Sequence, residues 1–178
     1  MSEAGHALIS LEERFAEDIL NHIKLVEFRR RPMRLSVGTT IWIYVKVPVG
    51  KVVGSVQVRA LHTLAPQTLW RKYGDVSGLK RAEFFAYFSG IERGFALLLD
   101  NPTRLLHPLP LERLRSLSDG FQPPQFFQHL AGEGTLVSAF TSQMPPTSKI
   151  YIQACETAMT ERGHSGSKAY DITLSSVT

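Results

Sequence analysis

Between Lys24 and Arg59 the chain carries eight basic side chains, Lys24, Arg29, Arg30, Arg31, Arg34, Lys46, Lys51 and Arg59, against one acid, Glu27. A positive segment of that density attracts polyanions such as nucleic acid. The alternative is a solvated arginine-rich strand and turn with no partner. In an extended chain Glu27 and Arg29 project from one side, opposite Val26, Phe28 and Arg30. A carboxylate set among cations can read a base edge, which offers both donors and acceptors, whereas a purely basic patch holds only phosphate. Trp42, Tyr44 and Lys46 share one face of the next extended run, where the rings could stack an unpaired or flipped base. In the competing account Glu27 and Arg29 form an internal ion pair and Trp42 and Tyr44 are ordinary core. Arg30, Arg31 and Arg34 either hold phosphates or solvate a strand end.

Other chemistry is poorly served. The six histidines, His6, His22, His62, His107, His129 and His164, lack metal-ligand spacing. The lone cysteine, Cys155, allows neither a CxxC site nor an intramolecular disulfide, in keeping with a reducing compartment. Ser165 beside His164 and Gly166 is not a nucleophile elbow, and Gly132-Glu133-Gly134 is too short for a phosphate loop. No metal and no cofactor are expected. The Met1–His6 start has no signal-peptide pattern, and the apolar run Thr40–Val49 is too short to span a bilayer. A cytoplasmic location and no membrane contact are expected.

The elements that must position the charged residues follow from periodicity. With 43% apolar and 20% charged residues, the 178-residue chain suits one globular domain and a tail. Ala7–Leu11 reads as a short strand. Ser10 with Glu13 forms a capping-box pattern ahead of a helix to about Asn21, with Leu11, Phe15, Ile19 and Leu20 on its apolar stripe. Lys24–Arg31 is extended and stopped by Pro32. Thr39–Val47 alternates strictly, Pro48–Gly50 turns the chain, and Lys51–Leu61 returns with Gly54 marking a bulge. Pro66–Tyr73 and Lys80–Ser89 read as helices, Gly94–Leu99 as a strand ended by Asp100-Asn101-Pro102, and Pro110–Leu117 as a helix. Strands and short helices without a βαβ rhythm predict a small α+β domain whose curved sheet closes or folds over to protect its edges. The charge split agrees, with 17 basic and 12 acidic residues up to Leu130 and 3 basic and 4 acidic beyond. Glycine, proline, serine and threonine interrupt the pattern after Leu130, so 131–178 is expected to be a partly disordered appendage and 1–6 an extension. Ile150–Met159 fits neither a helix nor a strand period.

His22-Ile23-Lys24-Leu25-Val26-Glu27-Phe28-Arg29 resembles the Gly-x-Lys-x-x-Glu-x-Arg motif of the ASCH family, a branch of the PUA-like superfamily. Lys24, Glu27 and Arg29 match, and His22 stands where glycine is usual. Ile41-Trp-Ile-Tyr44, Pro48, Val53-Gly54, Leu69-Trp70, Gly78, Glu83-Phe84, Tyr87-Phe88 and Gln122-Pro-Pro-Gln125 are similar to a prokaryotic subgroup described as predicted transcriptional regulators. The resemblance spans about residues 9–130. It implies a PUA-like curved sheet or pseudo-β-barrel over 7–130 and binding of nucleic acid, RNA ahead of DNA, or of a modified nucleotide. Lys24, Glu27, Arg29, Arg30, Arg31, Arg34, Trp42, Tyr44 and Lys46 are the binding residues it points to. Certain small ASCH-like proteins are instead amidohydrolases that deacylate a modified cytidine with a lysine, a threonine and a glutamate. Lys24 matches that lysine, but Glu27 occupies the threonine's place and removes the hydroxyl nucleophile. Binding is therefore expected ahead of turnover.

Overall fold

The computed structural model describes residues 5–146. Six strands, β1 (His6–Leu11), β2 (Val26–Arg29), β3 (Thr40–Val45), β4 (Lys51–Leu64), β5 (Gly94–Pro110) and β6 (Phe127–Leu130), form one curled mixed sheet in the order β2-β5-β4-β3-β1-β6. The β1–β3 pairing is parallel and the others are antiparallel. Five short helices cover it: α1 (Glu13–Leu20), α2 (Pro66–Tyr73), α3 (Arg81–Tyr87), α4 (Leu111–Leu117) and α5 (Thr135–Ser142). The expected α+β class with a PUA-like curved sheet is what the chain adopts.

Alternation along the strands divides the apolar residues between three clusters. Ala7, Ile9, Leu11, Ile41, Ile43 and Val45 meet Ala16, Ile19 and Leu20 of α1 on one face. On the other face Leu8, Trp42 and Tyr44 pack with Leu114 of α4 and with Leu136, Val137 and Phe140 of α5. Val26, Phe28 and Ala96 form the third cluster with Leu69 of α2 and Phe84 and Phe88, at the end of α3. Every residue of β1 and β3 is buried, because both faces of the central strands are covered.

Where the structure departs from sequence expectation, backbone pairing is the reason. Ser10 does not cap α1. Parallel pairing holds Ser10 opposite Tyr44 and Leu11 opposite Val45, and the Ser10 hydroxyl donates to the Pro124 carbonyl at 2.6 Å. The helix instead starts after Glu12. Asp100-Asn101-Pro102 does not end β5. Asp100 stays opposite Gln57 and Thr103 opposite Ser55, so Asn101 and Pro102 together face Val56 as a bulge, with Asn101 at φ 48°. Proline has no N–H to lose from the ladder, and asparagine tolerates the left-handed region. The hairpin forms as expected, and its register slips beside Gly54, where an added Cβ would meet the Thr103 carbonyl at 2.5 Å and Leu20 at 2.6 Å.

Packing on the sheet continues past Leu130. Leu136, Val137, Phe140 and Met144 belong to the cluster on Trp42, and the Leu106 N–H donates to the Gln143 carbonyl at 2.8 Å. The packed unit therefore runs through α5, because Trp42 needs a cover that α4 alone does not provide. The expected disorder of the tail and the Ile150–Met159 segment lie outside the described residues, as does most of the 1–6 extension. No helix among the described residues is long and apolar enough to cross a membrane.

Phe140 is fully buried, 5.1 Å from the Trp42 ring. Phe140→Ala is expected to lower unfolding free energy by about 3–5 kcal/mol in a denaturant titration. Unchanged stability would contradict the packed role of α5.

Candidate nucleic-acid interface

The charged motif is built at the edge of the sheet. The chain leaves α1 through His22, which takes φ 59°, the left-handed region that a glycine would adopt without strain. The Ile23 and Lys24 N–H groups both donate to the Asp18 carbonyl, at 2.8 and 2.9 Å, and fix the exit. β2 then pairs with β5, Glu27 opposite Leu97 and Arg29 opposite Phe95. Val26 and Phe28 enter the third cluster, so Glu27 and Arg29 take the opposite side together, as alternation predicts.

Lys24 is 2% exposed. Its ammonium donates to the Ser77 carbonyl at 2.6 Å and lies 3.3 Å from Glu27 Oε2 and 5.1 Å from the Phe15 ring centroid. The other Glu27 oxygen, Oε1, pairs with Arg29 Nη2 at 3.0 Å. One carboxylate thus bridges two cations. Arg29 Nε is buried with no partner among the described residues, a donor still to be used. Ser77 is oriented by its own hydroxyl, which donates to the Gly74 carbonyl at 2.7 Å and accepts from the Leu79 N–H at 3.2 Å. Gly78 follows at φ 68°, a conformation that side chains rarely adopt, and an added Cβ would stand 3.0 Å from Asp18 Oδ2.

This triad is the floor of a cleft of about 340 Å³, at the lower end of ligand-sized pockets and too small for a duplex. Phe15 of α1, Leu79 and Tyr87 of α3 line it with their apolar surface. Two exposed ion pairs stand at its mouth. Lys46 meets Glu12 at 2.9 Å, and Arg14 of α1 meets Glu83 of α3 at 2.8 Å. The Glu83 carboxyl is held below the usual carboxylate range by the Lys80 backbone N–H first and the Arg14 guanidinium second. It is ionised at neutral pH. Four cations and three carboxylates line the cleft, which leaves one net positive charge.

Of the sequence candidates, Lys24, Glu27, Arg29 and Lys46 come together here. Trp42 and Tyr44 do not, which corrects their expected stacking role: they are 0% and 2% exposed beneath α4 and α5. Burial also raises the Tyr44 phenol above its ordinary pKa. Lys46 lies past the end of β3, so it escapes the strand's alternation and turns to the cleft. Arg30, Arg31 and Arg34 are exposed outside the cleft lining, with Arg30 donating to the Ser89 carbonyl at 3.2 Å. Glu12, Arg14 and Phe15 look like ordinary residues of a short amphipathic helix and its cap, and Glu83 and Tyr87 stand in the subgroup resemblance with no site role attached. Among the described residues no three His, Cys, Asp or Glu side chains gather into a metal site.

No family model matches the sequence. Over 140 residues, however, it is 38% identical to the ASCH domain-containing ribonuclease of Zymomonas mobilis, covering 78% of this chain and 93% of that protein. The chain belongs to the ASCH domain family. The crystal structure of the Zymomonas mobilis ASCH protein matches with a TM-score of 0.72 at 36% identity, over 76% of this chain and 96% of that one. A point mutant of the same protein matches with a TM-score of 0.74 at 32% identity, over 82% of this chain and 100% of that one. In this ASCH chain the motif triad is thus a single ion-paired unit and not three independent side chains.

That unit makes a stability prediction. Lys24→Met leaves the Ser77 carbonyl and one Glu27 oxygen without their cation, and is expected to cost about 3–5 kcal/mol. Arg29→Ala keeps the Lys24–Glu27 pair and is expected to cost clearly less. Denaturant unfolding of the two variants checks the order, and equal losses would contradict a buried Lys24 anchor.

Proposed function

We propose that this ASCH domain binds single-stranded RNA, with one nucleotide seated in the Lys24–Glu27–Arg29 cleft. The observation that carries the reading is Glu27 held between two cations at the floor of a one-nucleotide-sized, net-positive cleft. A carboxylate there accepts from the N–H of a base edge, while the free Arg29 Nε–H donates beside it. Tyr87, 40% exposed, offers the ring surface that Trp42 and Tyr44 do not. Arg30, Arg31 and Arg34 are proposed to hold flanking phosphates, a contact that carries no sequence preference. Strand recognition of this kind suits a cytoplasmic protein acting at the level of RNA or transcription.

A second reading adds turnover. The Zymomonas mobilis relative is a ribonuclease, and carboxylates and cations line the cleft proposed here to hold one nucleotide. Those are the groups that assist attack of a ribose 2′-hydroxyl on its own phosphate with loss of the 5′-oxygen, a reaction open to RNA and closed to DNA. Against the amidohydrolase alternative stand Glu27, in the place of the hydroxyl, and Lys24, already bound to a carbonyl and a carboxylate.

Fluorescence anisotropy with a labelled single-stranded RNA, its DNA counterpart and a duplex tests the reading. The RNA is expected to bind most tightly, with affinity falling as salt rises. Arg29→Ala should lose about tenfold or more, the scale of one good base contact, and Glu27→Gln should change which base is preferred. Gel analysis of the incubated RNA reports cleavage. Binding that is flat with salt and indifferent to Arg29 would contradict the proposal.

A further inference from the structure

The floor of the cleft is poorly suited to a phosphate. Lys24 is committed to Ser77 and Glu27, and Arg29 is paired with Glu27 through Nη2. The cations able to change partners are at the mouth. Arg14 is 58% exposed on α1, and its guanidinium lies 4.3 Å from the centroid of the Phe15 ring. Stacking of that kind keeps the guanidinium at the mouth whichever anion it meets. Its present partner, Glu83, does not depend on it. Glu83 Oε2 accepts from the Lys80 N–H at 2.8 Å while Oε1 meets Arg14, so the carboxylate remains bonded at the start of α3 when Arg14 leaves. Exposed ion pairs contribute little to stability. A phosphate oxygen offers a guanidinium the same charge-assisted geometry as a carboxylate.

We infer that Arg14 is the phosphate-binding arm of the cleft, and that Glu83 occupies it as an internal competing anion until a nucleic-acid phosphate displaces the carboxylate. The inference rests on the RNA-binding reading above and names a phosphate contact that the motif residues do not supply. The ligand chemistry is a phosphate group, either the diester monoanion of a strand backbone or the more highly charged monoester of a free nucleotide. Glu12 and Lys46 form a second exposed ion pair in the cleft lining, at 2.9 Å. Removing the competitor should therefore tighten binding, although it takes away a partner that the free protein uses.

Affinities of wild type, Glu83→Gln, Arg14→Gln and the double variant for a labelled single-stranded RNA decide the matter, with a nucleoside 5′-monophosphate as a competitor. Glutamine keeps the bond to the Lys80 N–H, because a capping box accepts either residue. Glu83→Gln is expected to tighten RNA binding about two- to fivefold, the scale of one exposed ion pair released. Arg14→Gln should weaken it about fivefold or more, as one charge-assisted contact is lost. In the double variant the gain should vanish, because the freed group is gone. Competition by the monophosphate that disappears in Arg14→Gln would assign the arm to a single nucleotide. Absence of such competition would assign it to the strand backbone. No tightening in Glu83→Gln, or equal tightening without Arg14, overturns the inference and leaves the floor reading intact. RNA binding that responds to Arg14 but not to Arg29 overturns the floor reading and leaves this one standing. Wild type that binds no RNA overturns both.

Discussion

An ammonium ion taken out of water costs several kcal/mol unless good acceptors replace its hydration. Lys24, 2% exposed, is therefore the point on which the surrounding geometry depends. One acceptor, the Ser77 carbonyl after α2, comes from a distant part of the chain, and the other, the Glu27 carboxylate, from β2 just beyond Lys24. Holding both goes with left-handed backbone at His22 and Gly78 and with a Ser77 hydroxyl bonded to the Gly74 carbonyl and the Leu79 N–H. It also requires an edge strand whose other face is anchored by Val26 and Phe28. None of these features is useful alone. Together they fix a carboxylate between two cations at the bottom of a cleft.

Much of this was legible in the sequence, and what was missed has identifiable causes. Period-two alternation places Glu27 and Arg29 on one side, and Gly54 marks the bulge. The same alternation was misleading for Trp42 and Tyr44. A strand covered on both faces by helices has no exposed side, and nothing local to β3 announces a helix arriving from 90 residues away. That helix, α5, was hidden by the glycines before it and the prolines after it. Yet Leu136, Val137, Phe140 and Met144 do recur at helical spacing. Ser10 shows the reverse failure. A good local cap signal yields to strand pairing with β3, because a buried strand's backbone bonds outweigh one side-chain cap.

Two kinds of electrostatic contact divide the work at the cleft. The floor pairs are buried, linked to backbone and mutually dependent, so they define shape and donor pattern. The mouth pairs are exposed and join α1 to α3 and to the end of β3, so they exchange partners easily. The Glu17–Arg104 pair, bidentate at 2.7 and 3.1 Å, clamps α1 to β5 away from the cleft. It ties the helix that carries Arg14 and Phe15 to the sheet.

Amide and side-chain chemical-shift mapping with a short single-stranded RNA tests the central claim most directly, because it locates the ligand without altering a residue. The account predicts that the largest shifts fall on 12–15, 24–29, Lys46 and 83–87, the segments that line the cleft. Shifts confined to Arg30, Arg31 and Arg34, or spread over the α4 and α5 face, would contradict it.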